Sequence, residues 1–80
     1  MKISSPAEGD IYRIDSSIPG ESQAIELRAM CETPNIEWFV NGKYYGSGKR
    51  VFWTLQPGEF TIKAVADGKI EDSVSIIIVQ

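Results

Sequence analysis

Nucleophilic catalysis needs a serine, cysteine or threonine beside a base that can take its proton. This chain has no histidine among its 80 residues, so lysine and carboxylate are the only bases left. Its one cysteine, Cys31, shares the parity of Ile25, Leu27 and Ala29 in "AIELRAMC". That parity turns Cys31 toward a core, where a thiol is inert filler. A single cysteine closes no intramolecular disulfide, and without histidine a Cys/His zinc site is excluded. Paired carboxylates could serve glycoside hydrolysis, but Glu8/Asp10 and Glu71-Asp72 fall in turn-like segments and are expected to face solvent. "DGKIED" gathers Asp67, Glu71 and Asp72 without the spacing of an EF-hand loop. No catalytic residue, metal site or cofactor is therefore expected.

What remains is one concentration of aromatic and basic side chains: Lys43, Tyr44, Tyr45, Lys49, Arg50, Phe52 and Trp53. Strand alternation sends one of Tyr44 and Tyr45 inward and the other outward, and likewise Phe52 and Trp53. Large aromatics near the surface beside cations can stack on a sugar ring or a partner. Lys43, Tyr44, Tyr45, Arg50 and Phe52 are the candidate binding face. The competing reading makes these residues part of a small core and its solvated rim. The formal charge of −3 argues against nucleic acid as the partner, because phosphate binding wants a basic surface.

The elements that must position these residues are strands. Phe60, Ile62, Ala64 and Ala66 alternate between the turns Pro57-Gly58 and Asp67-Gly68. "IYRI" reads as a short first strand after the turn-rich "SSPAEGD", and "AIELRAMC" follows a loop at "SSIPGES". "IEWFV" runs into Asn41-Gly42, a type I′ hairpin signal, then "KYYG", "RVFWTL" and finally "DSVSIIIVQ". About seven short strands with frequent turns predict one immunoglobulin-like or fibronectin-like antiparallel β-sandwich over residues 1–80; an open barrel is the alternative. Trp38, Trp53, Phe60, Ile62 and Cys31 are its expected core. Phe60 holds the place where such folds often carry a tyrosine whose hydroxyl bonds back to the chain, so packing and the Pro57-Gly58 turn must hold that corner. The apolar run Ile76 to Val79 is far too short to span a bilayer, and "MKISSPAEGD" has no apolar leader segment.

The ordered set "SPAEGDIYRID", "IPGESQAIELRA", "IEWFVNGK" and "VFWTLQPGEFTIKAVADG" resembles the C-terminal domain of bifunctional, C-type penicillin-binding proteins. That pattern runs Pro-x-x-Gly, an aromatic-Arg-Ile/Leu-Asp segment, a Pro-x-x-x-Gln loop, a Trp strand ending in Asp/Asn-Gly, Trp-x-Leu-x-Pro-Gly and an Ile-x-Ala strand. Phe60 departs from it. The resemblance implies a segment excised from the C-terminus of a longer peptidoglycan synthase, whose glycosyltransferase and transpeptidase domains lie upstream. It implies a periplasmic or extracytoplasmic location and a non-catalytic accessory role. The expected partners are other domains of the synthase or an envelope protein. The alternative is a carbohydrate-binding module that holds peptidoglycan through Tyr44/Tyr45 and Phe52/Trp53. An unrelated small enzyme is a third reading, which the missing histidine and the lack of a carboxylate site disfavour. No membrane insertion by this segment is expected.

Overall fold

Apolar and polar residues alternate along most of the chain, and the alternation is realised as eight strands in two sheets. The computed structural model describes the backbone of residues 1–80 and every side chain except that of Glu21. The strands are β1 (Lys2–Ser5), β2 (Ile11–Arg13), β3 (Ala24–Met30), β4 (Ile36–Val40), β5 (Lys43–Ser47), β6 (Arg50–Thr54), β7 (Gly58–Ala66) and β8 (Ile70–Val79). A single 3-10 turn, Gly20–Ser22, precedes β3. One sheet has the order β1-β3-β6 and the other β2-β8-β7-β4-β5. Every pair is antiparallel except β2 with β8, which run parallel. Among the described residues no helix is long and apolar enough to cross a membrane.

The architecture is the expected sandwich, with one strand more than the sequence pattern indicates. The extra strand is β1. Ile3 is its only large apolar residue, so four residues carry too little alternation to be seen. β8 also starts at Ile70, upstream of the expected Asp72. Its first turn of pairing is polar, Glu71 and Asp72 opposite Val65 and Ala64.

The core lies between the sheets. Leu27, Ile36, Trp38, Ile62 and Ala64 are fully shielded from solvent, and Trp53, Ile76 and Ile78 nearly so. Phe60 and Cys31 are partly buried and pack against the margin of this cluster rather than within it. Phe60 meets Trp53 edge-on, ring centroids 4.7 Å apart at 67°. That contact holds the corner where a tyrosine hydroxyl is missing. Asp67 (φ 52°) and Gly68 (φ 69°) turn β7 back onto β8 as a hairpin. Pro57-Gly58 does something different from a hairpin: it carries the chain from β6 in one sheet to β7 in the other.

Three hydrogen bonds tie the sheets together at their open sides. The buried Trp38 indole Nε1–H donates to the Gly48 carbonyl at 2.7 Å. Gly48 is where the chain leaves the five-stranded sheet for the three-stranded one, and its φ of +124° suits only glycine. On the same side Tyr45 Oη donates to the Phe52 carbonyl at 2.5 Å, joining β5 to β6. On the opposite side the Ile3 amide donates to Asp72 Oδ2 at 3.0 Å, joining β1 to β8.

Candidate functional site

The aromatic and basic cluster comes from two edge strands, β5 and β6, and its geometry follows from their sheets. Asn41 (φ 50°) and Gly42 (φ +82°) form the tight turn that starts β5. Val40 then faces Lys43 and Phe39 faces Tyr44, but Trp38 faces Gly46, so Tyr45 is an extra, bulged residue. The bulge breaks the alternation that predicts one tyrosine inside. Both are exposed, Tyr44 at 58% and Tyr45 at 42%. Phe52 and Trp53 do divide as alternation requires: Trp53 is buried and Phe52 is 56% exposed.

The candidate residues do not share one face. Tyr44 packs edge-on against Phe39, centroids 5.9 Å apart, on the outer surface of the five-stranded sheet. Lys63 Nζ lies 5.3 Å from the Phe39 ring on that same surface. Phe52 and Arg50 have the parity opposite to buried Trp53, so they stand on the outer surface of the three-stranded sheet. The Arg50 guanidinium lies 5.3 Å from the Phe52 ring centroid. Lys43 and Tyr45 stand between, beside the seam where the two sheets open. A groove of about 510 Å³ there is lined by Lys43, Tyr44, Tyr45, Trp53, Gln56 and Phe60, among others. The expectation of a single binding face is thus corrected. β5 and β6 belong to opposite sheets, and their outward side chains point in opposite directions.

One constellation that the sequence pattern does not single out is assembled by the three-stranded sheet. Arg28 and Arg50 are direct cross-strand neighbours on β3 and β6. Glu26 bridges them, its Oε1 2.9 Å from Arg28 Nε and its Oε2 bonded to Arg50 Nε. The signal lay in the parity of Glu26 and Arg28. Without the β3–β6 register it could not be joined to Arg50.

Several carboxylates outside this cluster accept from backbone amides. Glu8 Oε1 accepts from the Ser75 amide at 3.0 Å, and Asp10 Oδ2 from the Ala7 amide at 2.9 Å and the Tyr12 hydroxyl at 3.1 Å. Asp72 accepts from Ile3, as above. Asp10 and Asp72 are partly buried and bound into the fold, in contrast to the solvent-facing groups expected, whereas Glu71 and the hydrogen-bonded Glu8 are exposed as expected. Burial, then the hydrogen bond to Asp10 and its charge, push the Tyr12 hydroxyl above the usual tyrosine range. Hydrogen bonds from the Ser17 hydroxyl and amide hold the exposed Asp15 carboxyl below the usual carboxylate range. Among the described residues no three metal-ligating side chains converge.

Comparison with known proteins gives two findings. The family model described as the Penicillin-Binding Protein C-terminus Family matches residues 1–76. Among solved structures, one described as "Structures of Clostridium thermocellum CbhA fibronectin(III)-like modules" superimposes with a TM-score of 0.75 at 20% identity, covering 99% of this chain and 95% of that one. At that identity the likeness speaks to the fold, which is fibronectin III-like. No curated protein sequence matches the chain.

Proposed function

The chain belongs to the penicillin-binding protein C-terminus family, and from that premise we propose that it is a non-catalytic accessory module of a peptidoglycan synthase. In this reading it works in the cell envelope, on the periplasmic or extracytoplasmic side, and docks to a protein partner or to the synthase's own domains. The observation that carries docking over glycan binding is the separation of the exposed aromatics. A sugar-binding platform needs rings side by side on one surface. Tyr44 and Phe52 face away from each other on opposite sheets, and the Tyr45 hydroxyl is engaged by the Phe52 carbonyl. What the surface does offer is exposed apolar side chains on sheet faces, Met30 and Phe52 on one and the Ile11–Ile77 pair on the other. Such residues are common at the centre of protein contacts.

The groove beside the seam is the one feature that favours the carbohydrate alternative, since Tyr44, Tyr45, Trp53 and Phe60 line it together with Lys43. Two partition experiments separate the readings. The chain is mixed with insoluble peptidoglycan and spun down, and separately passed over a sizing column with the glycosyltransferase and transpeptidase domains of a synthase that carries it. Docking predicts that the chain stays in the supernatant in the first and co-elutes in the second. Sedimentation with the polymer, without co-elution, replaces docking by glycan binding.

A further inference from the structure

We propose that the outer face of the three-stranded sheet is the docking surface, and that its partner is a protein surface or segment rich in Asp and Glu. This rests on the docking reading and names its surface.

Charge is divided between the two faces of the sandwich. The outward side chains of the five-stranded sheet include Glu37, Glu59 and Glu71 against Arg13 and Lys63. Among the described side chains, the charged ones on the strands of the three-stranded sheet are Lys2, Arg28 and Arg50 against Glu26. A chain of net charge −3 thus carries a cationic face. Such a local reversal directs contact with an acidic partner and speeds its approach.

The arginines are also arranged for carboxylates. Like charges directly opposite each other on neighbouring strands are destabilising, yet Arg28 and Arg50 occupy such a pair. Glu26 relieves the repulsion by accepting the Nε–H of Arg50 and lying in ion-pair contact with Arg28. Their terminal nitrogens are left to the outside, and among the described residues no side chain bonds them. Side-chain exposure is 53% for Arg28 and 59% for Arg50, against 22% for Glu26. The result is two oriented guanidiniums with their bidentate edges available, the geometry that matches a carboxylate. Phe52 lies beneath Arg50, and Met30, 68% exposed, lies on the same face opposite Lys2. Arginine, methionine and aromatic side chains are the types enriched in protein contacts. Strand addition at the sheet's edges is disfavoured, because Tyr45 engages β6 and Asp72 engages β1 there. The face is what remains.

The test uses a capped hexaglutamate peptide as the acidic probe, followed through backbone amide and arginine Nε–H resonances of the labelled chain. Shifts are expected at Lys2, Arg28, Met30, Arg50 and Phe52. Raising the salt concentration is expected to weaken them. The double variant Arg28→Gln/Arg50→Gln is expected to lose affinity about tenfold, Arg28→Lys/Arg50→Lys to lose part of it through the missing planar fork, and Lys63→Gln on the opposite face to lose none. Shifts mapping elsewhere overturn the proposal, as does their absence in a spectrum that shows the fold intact. So does a soluble peptidoglycan fragment that shifts these same residues at lower concentration than hexaglutamate. The arginine-to-glutamine variant is also run with the synthase's own domains. Co-elution as tight as that of the parent chain overturns this surface while leaving docking through another; loss of co-elution supports it.

Discussion

At the scale of single residues, Trp38 does more than fill space. Its ring is fully buried, and its indole N–H fixes the carbonyl of Gly48, where the chain changes sheets. Trp38→Ala should therefore cost about 3–5 kcal/mol. Trp38→Phe, which keeps most of the packing but orphans the Gly48 carbonyl, should cost about 1–3 kcal/mol. Urea midpoints of the two variants check both values, and a Trp38→Ala variant as stable as the parent would remove Trp38 from the centre of the fold. Tyr12 makes a second residue-scale prediction. Its hydroxyl is held above the usual value of about 10 by burial and by Asp10. The folded state thus binds the phenol proton more tightly than the unfolded chain. The stability this contributes is fully present below the unfolded pKa and is lost as pH rises through the folded one. Tyr12→Phe should flatten the alkaline limb of a stability–pH curve, and an unchanged limb would contradict this. Trp38 was legible in the sequence, because a tryptophan at the centre of an apolar parity has few places to go. The backbone-binding roles of Glu8 and Asp72 were not, since each joins segments far apart in the chain.

At the scale of elements, parity located most strands and their inward faces, because burial on one side of a sheet imposes period two. It failed where the period is broken. The extra residue in β5 releases Tyr45 from alternation, and nothing in "KYYG" distinguishes a bulge from a regular strand. Turn chemistry was legible in kind but not in destination. Asn41-Gly42 makes the hairpin it signals, whereas Pro57-Gly58 changes sheets. The bulged tyrosine has a checkable consequence. Tyr45→Phe removes the hydrogen bond to the Phe52 carbonyl and should cost about 0.5–1.5 kcal/mol. The seam between β5 and β6 should loosen as well, seen as faster amide exchange at Tyr44 and Gly46 with the β7–β8 hairpin unchanged. Uniform acceleration across all strands would instead mean that the bond matters only to global stability.

At the scale of the whole molecule, the ordered motifs pointed to the right family, and the match over residues 1–76 makes the membership plain. The candidate site was legible only as a list of residue types. Lys43, Tyr44, Tyr45, Arg50 and Phe52 are neighbours in sequence, but β5 and β6 lie in different sheets, and that partition depends on pairings with β3 and β4 made at a distance. The same partition joins Arg50 to Arg28 and Glu26 and leaves one face of the sandwich cationic. The central claim is that the module meets proteins and not glycan strands. It is tested most directly by titrating the labelled chain, in parallel, with the synthase's catalytic domains and with soluble peptidoglycan fragments. Docking predicts that the domains shift or broaden resonances of Arg28, Met30, Arg50 and Phe52, while the fragments at millimolar concentration leave the spectrum unchanged. Shifts at Lys43, Tyr45 and Phe60 with the fragments, and none with the domains, would contradict it.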